Sequence, residues 1–368
     1  MSHATRVDAK ILNREATLAF SRNNKVSLIE FVDGAKRRPD YRIHARIVED
    51  ATNSRAVVEL VSLAKGNTIW SGSIPLGNET STTFARELHG FVTSEIVLSE
   101  AGNRASGSSI PDKLWRAKAA QIQTRLGTDE PKAMELYREI LGEDPTNVNA
   151  LIGLSEAYIL RVARNQTSQR AADLAAISEL LIRMKPLVPN SSDTAFKEGM
   201  LNKLQGKFQQ ASANFEQSVR LDPAHWNAAA QYAHVMIFLG RLEEGYRLMQ
   251  AATPNLLPDL GAAETAYIAG ETALVAGHAQ EAARYLGIAV SGNPTVGRIQ
   301  ALYAVALFRS GHSAEARMAV EKARELSPGY TPDVMNQRGG QTAHPRYAEA
   351  KSAMVEAFRQ VRAMNQID

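Results

Sequence analysis

The side chains best suited to chemistry in this chain are its eight histidines and a few acidic residues near the amino terminus. No two histidines stand at a spacing typical of a metal site, and the sequence has no cysteine to act as a nucleophile or thiolate ligand. It also lacks a Gly-rich phosphate loop, a His-Glu-x-x-His pattern and a Gly-x-Ser-x-Gly elbow. The remaining cluster is Asp33, Asp40, His44 and Glu49, but residues 44 and 49 would point to opposite faces of one strand. We therefore expect a protein that is not an enzyme and that uses no cofactor or metal.

The composition is that of a folded chain with nearly balanced charge. Hydrophobic residues make up 44% of the sequence and charged residues 22%, which is typical of a globular protein. The net charge of +3 comes from 42 basic and 39 acidic residues, so no strong positive field favours nucleic acid. No apolar stretch is long enough to span a bilayer, and the amino terminus lacks the apolar core of a secretory signal. These observations predict a cytoplasmic protein with no membrane span and no nucleic-acid partner.

A glycine is followed 17 residues later by a proline three times along the chain, and a fourth pair, Gly240 with Pro258, is one residue longer. The pairs are Gly206 with Pro223, Gly240 with Pro258, Gly277 with Pro294, and Gly311 with Pro328. Between them, small or large apolar residues recur five, nine and twelve positions after each glycine: Ala211, Gly245, Ala282 and Ala316; Phe215, Met249, Leu286 and Val320; Ser218, Ala252, Ala289 and Ala323. A period of about 34 residues predicts stacked helix pairs. We expect the glycine in the turn within each pair and the proline after the second helix.

The rest of the chain suggests a division into four parts. Residues 1–100 combine helical spacing at 7–23 and 84–98 with short alternating runs at 26–31, 41–48, 56–63 and 68–74, which predicts a small α+β domain. Residues 101–112 resemble a Gly/Ser-rich linker, and residues 113–330 accommodate six repeat units, with a polar insertion at 161–170. Residues 331–368 would form a loop and a C-terminal capping helix. Its apolar stripe is Tyr347, Ala350, Met354, Phe358 and Val361.

The repeated positions resemble those of the tetratricopeptide repeat (TPR) family over residues 113–329. The resemblance is carried by Gly206, Ala211, Phe215 and Pro223, by Gly277, Ala282, Leu286, Ala289 and Pro294, by Gly311, Ala316, Ala323 and Pro328, and by Ala133, Tyr137 and Pro145. The chain departs from the family at Gly245, which replaces an alanine, and at Ala195 and Ala229, which replace an aromatic residue. The resemblance implies a mainly α fold, a right-handed TPR α-solenoid preceded by the small α+β domain.

Residues 1–100 are similar to part of a TolB-like amino-terminal domain. The markers are Gly66, Asn67, Thr68, Ile69 and Trp70, followed by the helix at 84–96. Such a domain is found before TPRs in bacterial class III adenylate cyclases and winged-helix transcriptional activators. The first strand of that domain has no counterpart before Val7, so the domain looks incomplete.

The family resemblance also implies a binding surface. In TPR proteins the first helix of each unit lines a concave groove that holds an extended peptide or a helix. The corresponding residues here are Lys118, Arg125, Glu156, Phe196, Met200, Lys203, Asn227, His234, Tyr267, Glu271, Phe308 and Arg309. The resulting hypothesis is a non-catalytic protein–protein interaction scaffold, a bacterial regulatory or signalling module with a protein or peptide partner. The alternative is the sensory portion of an adenylate cyclase or transcriptional activator whose effector domain is missing from this chain.

Overall fold

A computed structural model describes residue 16 and residues 40–49, 54–76, 81–125, 130–164, 166–223, 225–253, 262–337 and 343–364. The chain forms two compact units, Met1–Glu143 and Asp144–Asp368. The expected helix at 7–23 lies outside the described residues except for Ala16, which is helical and buried, and the expected strand at 26–31 lies wholly outside them. None of the helices in the described ranges is both long and apolar enough to cross a bilayer.

The first unit is built on a three-stranded antiparallel meander. Its strands are β1 (Tyr41–Glu49), β2 (Ser54–Ser62) and β3 (Asn67–Leu76), in the order β1-β2-β3. Alternate residues of β2, namely Ala56, Val58 and Leu60, are buried, as the alternation of the sequence predicts. The helix α1 (Ser81–Asn103) packs against β3, with the rings of Trp70 and Phe91 stacked at 5.4 Å.

Two further helices complete the first unit, α2 (Ile110–Arg125) and α3 (Glu130–Glu143). They were expected as the first repeat pair, and they belong to the first unit because α2 packs against α1 as well as against α3. The segment between α1 and α2 is shorter than the expected linker at 101–112. Arg104 joins Glu100 of α1, at 2.9 Å, to Asp112 in the first turn of α2, at 3.2 Å, and holds this short connection.

The second unit consists of helices in sequential pairs. These are α4 (Val148–Ala163) with α5 (Arg170–Met184), α6 (Ser192–Leu204) with α7 (Phe208–Leu221), α8 (Trp226–Phe238) with α9 (Leu242–Ala252), α10 (Ala262–Ala276) with α11 (Ala279–Gly292), and α12 (Gly297–Arg309) with α13 (Ser313–Leu326). The short α14 (Pro332–Gln337) and the long α15 (Pro345–Met364) follow. Each helix from α4 to α13 packs against the next one, so the unit is a mainly α solenoid of paired helices.

The turn glycines and the repeated apolar positions behave as the sequence predicts. The four glycines Gly206, Gly240, Gly277 and Gly311 lie between the two helices of a pair, each with φ between 75° and 95°. Only glycine adopts that conformation without strain. Of the twelve repeated apolar positions, all but Ala252 are buried, so these positions form the seam between helices. The prediction of stacked helix pairs is confirmed.

Small residues in the first helix of a pair leave space that a large side chain from the second helix fills. A methyl group on Gly199 would lie 2.6 Å from the ring of Phe215, and one on Gly270 would lie 2.4 Å from the Cγ atom of Leu286. The departure at Gly245 is the reverse case, because Gly245 lies on the second helix α9 and a methyl group there would lie 2.8 Å from the backbone carbonyl oxygen of Ala233 on α8. Helix spacing at these points is therefore set by the absence of a side chain.

Candidate functional site

The first helices of the pairs in the second unit share one surface. Among them α4 contacts α6, α8 contacts α10, and α10 contacts α12. We call the surface shared by α4, α6, α8, α10 and α12 the inner surface. Ten of the twelve residues proposed as groove-lining lie on these helices: Glu156, Phe196, Met200, Lys203, Asn227, His234, Tyr267, Glu271, Phe308 and Arg309.

The other two residues, Lys118 and Arg125, lie on α2 of the first unit. Lys118 is half-buried, and its ammonium group lies 5.8 Å from the centre of the Trp115 ring. Arg125 is the last residue of α2, and its side chain lies outside the described part of the chain. These two residues are therefore considered apart from the inner surface.

The inner surface begins on α4 and α6 with a region of mixed apolar and polar side chains. Phe196 is half-buried, and its ring packs at 5.8 Å from that of Phe215 and at 5.0 Å from that of His225. Met200, one turn further along α6, is 9% exposed. Glu156 on α4 is half-buried, while Asn227 at the start of α8 is exposed. This region offers a partly open aromatic side chain beside polar groups.

Three of the proposed residues come together in the middle of the inner surface. The Nζ atom of Lys203 lies 2.7 Å from the Nδ1 atom of His234 and donates to the Oε1 atom of Gln231, also at 2.7 Å. On the other side of the imidazole ring, the Nε2 atom lies 3.5 Å from the Oε2 atom of Glu271. The cluster of Lys203, Gln231, His234 and Glu271 thus links α6, α8 and α10, and we call it the polar cluster.

The hydrogen-bond partners in the polar cluster determine which ring nitrogen of His234 carries the proton. An ammonium group has only donors, so Nδ1 must accept from Lys203, and the imidazole proton is then on Nε2, which faces the carboxylate of Glu271. His234 is 4% exposed, and burial, reinforced by the charge of Lys203, lowers its pKa to about 4. Burial also lowers the pKa of Lys203 to about 8, against the opposing effect of Glu271 and Glu264. A neutral histidine therefore lies between a cation and an anion.

Aromatic rings cover the polar cluster. The ring of Phe238 lies 5.0 Å from that of His234 and 4.6 Å from that of Phe208, and the Nζ atom of Lys203 is 5.8 Å from its centre. Tyr347 of α15 completes the group, with its ring 4.7 Å from that of Phe238. Burial, followed by the charge of Glu271, raises the pKa of Tyr347 well above its usual value. The start of α15 therefore rests on the inner surface.

The remainder of α15 crosses the inner surface of the last two pairs. It contacts α10 and α12 and then reaches α13 and α14, while the backbone N–H of His344 donates to the carbonyl oxygen of Phe238 at 2.8 Å. Its buried apolar side chains from Met354 to Val361 belong to the same apolar cluster as the inner helices, and the half-buried Tyr267 and Phe308 pack against that cluster. A helix that contacts α8, α10 and α12 in turn lies on the surface these helices share. The expected capping helix thus extends well beyond the end of the stack.

The last of the proposed residues, Arg309, lies at the exposed end of α12. Its Nη1 atom donates to the carbonyl oxygen of Leu274 at 3.3 Å, so the guanidinium group helps to cap α10.

Sequence reasoning missed three contributors to this site, Gln231, Phe238 and Tyr347. Tyr347 was visible as the first residue of the apolar stripe of α15, but nothing in the sequence indicated where that stripe would pack.

Residues 204–262 match a family model described as "Tetratricopeptide repeat". This segment contains α7, α8 and α9 and the turn glycines Gly206 and Gly240. The match therefore falls on three consecutive helices of the solenoid. No curated protein matches the chain in sequence.

Several solved structures resemble the chain at low identity. YrrB, described as a TPR protein with an unusual peptide-binding site, is 14% identical with a TM-score of 0.35, covering 54% of this chain and 95% of that one. TTC0263, a thermophilic TPR protein of Thermus thermophilus, is 16% identical with a TM-score of 0.43, covering 54% and 100%. The Cut9–Hcn1 hetero-tetramer of the APC/C is 15% identical with a TM-score of 0.48, covering 78% of this chain and 53% of that one.

The inner surface combines a hydrogen-bonded polar cluster with apolar and aromatic side chains. Within the described ranges, no group of three or more histidine, cysteine or acidic side chains could hold a metal ion. The polar cluster connects three helices through its own side chains, and its outer edge is apolar and aromatic. This arrangement suits the binding of another polypeptide segment by apolar burial with a few polar contacts.

Proposed function

We propose that this protein is a non-catalytic interaction scaffold that binds a protein or peptide partner on its inner surface. The observation that carries the proposal is the position of α15 on the inner surface. One amphipathic helix of the chain itself already packs across α8, α10 and α12, so the chemistry of the surface is suited to such a segment.

The part of the inner surface on α4 and α6 is the most direct candidate for partner contact. Phe196 is half-buried rather than enclosed, and Met200 and Lys203 follow it along α6 at helical spacing. A few side chains, many of them aromatic, supply most of the binding energy of a protein interface when the partner buries them fully. We propose that Phe196 contributes apolar contact and that Glu156 and Asn227 supply polar contact, while Lys203, held in the polar cluster, positions α6 against α8.

A substitution pair tests this assignment. Phe196→Ser removes an aromatic side chain from α6, whereas Ile182→Ser removes a side chain that is 68% exposed on α5, the second helix of its pair. Cross-linking with mass spectrometry in the native host would identify the partner, and its affinity for each purified variant would then be measured by calorimetry. We expect Phe196→Ser to weaken binding at least about tenfold and Ile182→Ser to leave it unchanged.

The outcome that contradicts the proposal is equally specific. Because Phe196 packs on Phe215 and His225, circular dichroism must first show that Phe196→Ser retains its helices. A folded Phe196→Ser variant that binds the partner as tightly as the parent chain would exclude the α6 surface as the binding site.

The finer role that we propose is that of a bacterial, cytoplasmic regulatory or signalling module. A second candidate is the sensory portion of an adenylate cyclase or transcriptional activator, favoured by the TolB-like pattern at Gly66–Trp70, where Gly66 has φ of 67° in the turn between β2 and β3. Neighbouring reading frames distinguish the two, because an adjacent cyclase or winged-helix segment would favour the second candidate.

A further inference from the structure

The helix α15 covers more of the solenoid than a helix that only capped its last pair would cover. It starts at the end of α8, where a methyl group on Gly240 would lie 2.3 Å from the Nδ1 atom of His344, and it finishes at α13, where Arg317 donates to the carbonyl oxygen of Met364 at 2.9 Å. Covering the end of the stack requires contact with α12 and α13 alone. The additional contacts with α8 and α10 place α15 on part of the surface to which the proposed function assigns a partner.

The two faces of α15 are chemically distinct. Tyr347, Met354, Phe358 and Val361 are each at most 2% exposed, at the spacing of one helical stripe. The opposite face carries exposed polar or small residues: Glu349, Ser352, Ala353, Glu356, Arg359 and Gln360. The stripe therefore defines the chemistry that this part of the inner surface accepts, an aromatic residue followed by apolar residues seven, eleven and fourteen positions later.

The polar bonds of α15 are made chiefly to the segment that precedes it. Lys351 donates to the carbonyl oxygen of Asn336 at 2.8 Å, Arg359 pairs with Asp333 at 3.2 Å, and Arg362 donates to the carbonyl oxygen of Tyr330 at 3.3 Å. These bonds join α15 to α14 and to the turn before it. The contact with α8 includes a backbone hydrogen bond and a ring contact, and the core shared with α10 and α12 is apolar. Release of α15 from the inner surface would therefore separate mainly apolar contacts.

We propose that α15 is a releasable occupant of the inner surface, and that an amphipathic helix of a partner protein with the same apolar stripe takes its place. The inference rests on the proposed function and names the kind of partner. The covered and uncovered regions meet at Phe238, whose ring contacts Tyr347 on one side and approaches the ammonium group of Lys203 on another. A partner helix longer than α15 would extend past Phe238 onto α6, and that added contact favours the partner over α15.

The covalent connection gives α15 an advantage that a partner must overcome. Only the short segment 338–342 separates the end of α14 from the residues that lead into α15. A short linker of this kind produces an effective concentration on the order of millimolar. A peptide equal to α15 should therefore bind the intact chain weakly, and should bind well once α15 has been weakened.

A labelled peptide of residues 343–364 tests the proposal on the full-length chain. Its affinity would be measured by fluorescence anisotropy for the parent chain, for Phe358→Ala and Met354→Ala, and for Gln360→Ala, which changes the exposed face and is the matched control. We expect the first two variants to bind at least about tenfold more tightly than the parent chain, because a larger fraction of molecules has the surface open. Gln360→Ala should behave as the parent chain does.

Hydrogen exchange on the parent chain provides a test that needs no variant. Amides of α15 should exchange at least about tenfold faster than those of α8 and α10, since local release requires less free energy than unfolding of the solenoid. A saturating excess of the peptide should increase exchange in α15 while protection in α10 and α12 persists.

Three results would overturn the proposal. The first is equal affinity, or no detectable affinity, of the peptide for the parent chain and for folded Phe358→Ala and Met354→Ala. The second is exchange of α15 amides only through global unfolding. The third is a concentration-dependent dimer of the parent chain that Phe358→Ala abolishes, because the occupant would then be a second copy. In each case, partner binding that is lost with Phe196→Ser would leave the proposed function standing.

Discussion

The buried His234 makes a quantitative prediction about stability and pH. Its pKa is about 4 in the folded chain, because burial and then the charge of Lys203 disfavour the imidazolium form, while the reference value is 6.5. Between these two values the unfolded chain binds a proton that the folded chain does not. Stability must therefore rise with pH across this window and fall as the pH drops below about 6.5.

The size of the effect follows from that difference. Integrating the linkage relation for one group between pH 7 and pH 5 gives a loss of about 2 kcal/mol from His234 alone. His234 is 4% exposed, so solvent screening reduces this value little. The Glu271 carboxylate acts in the opposite direction by favouring the protonated ring, and the folded pKa of about 4 already includes that contribution.

The perturbation that isolates the effect is His234→Asn. The amide oxygen can still accept from Lys203, but the side chain does not titrate. Urea unfolding of the parent chain and the variant would be followed by circular dichroism at pH 7 and pH 5. The variant will be less stable at pH 7, because it loses the contact with Glu271, so the decisive quantity is the change between the two pH values.

We expect the parent chain to lose about 2 kcal/mol more than His234→Asn over this interval. His312→Asn, on an exposed residue in the turn before α13, is the control and should retain the full dependence of the parent chain. If His234→Asn and the parent chain lose stability equally, His234 is not held neutral by its surroundings, and the assignment of its proton to Nε2 is wrong.

Two further predictions concern packing and pairing, both measured by urea unfolding. Gly270→Ala should be about 1–3 kcal/mol less stable than Gly287→Ala, because helix propensity favours both changes equally but only the first methyl group overlaps a neighbour, at 2.4 Å rather than 3.7 Å. Equal stability of the two variants would contradict this account of the helix spacing. Asp173→Asn should cost about 2–3 kcal/mol, because Asp173 is buried and pairs with Arg161, whose Nε atom donates at 3.1 Å. Glu179→Gln, on a carboxylate that is 74% exposed, should change stability by less than about 0.5 kcal/mol, and an equal effect of the two would refute the argument.

The repeat architecture is the part of the fold that the sequence predicts most completely. The positions of Gly206, Gly277 and Gly311 in turns and the burial of residues such as Phe215 follow from contacts within one helix pair and with its neighbour. Such contacts join residues close in sequence, so they leave a periodic pattern. The alternating pattern likewise predicts the strands of the meander, with β1, β2 and β3 within two residues of their expected bounds.

The sequence only partly predicts which residues face each other between the two helices of a pair. The small residue seven positions before each turn glycine, as at Gly199 and Gly270, is visible once the frame is known, but its role depends on the side chain opposite. The structure shows that Phe215 and Leu286 fill the space that these glycines leave.

What the sequence determined by itself is the repeat, the location of its turns and the set of residues on the first helices. Only the tertiary structure decided that Lys203, His234 and Glu271 meet, and that α15 lies across α8, α10 and α12. The physical reason is the range of the contacts. A helix pair is specified by neighbouring residues, whereas the meeting of three separate helices, or of Tyr347 with Phe238 more than a hundred positions away, depends on how small rotations accumulate along the stack.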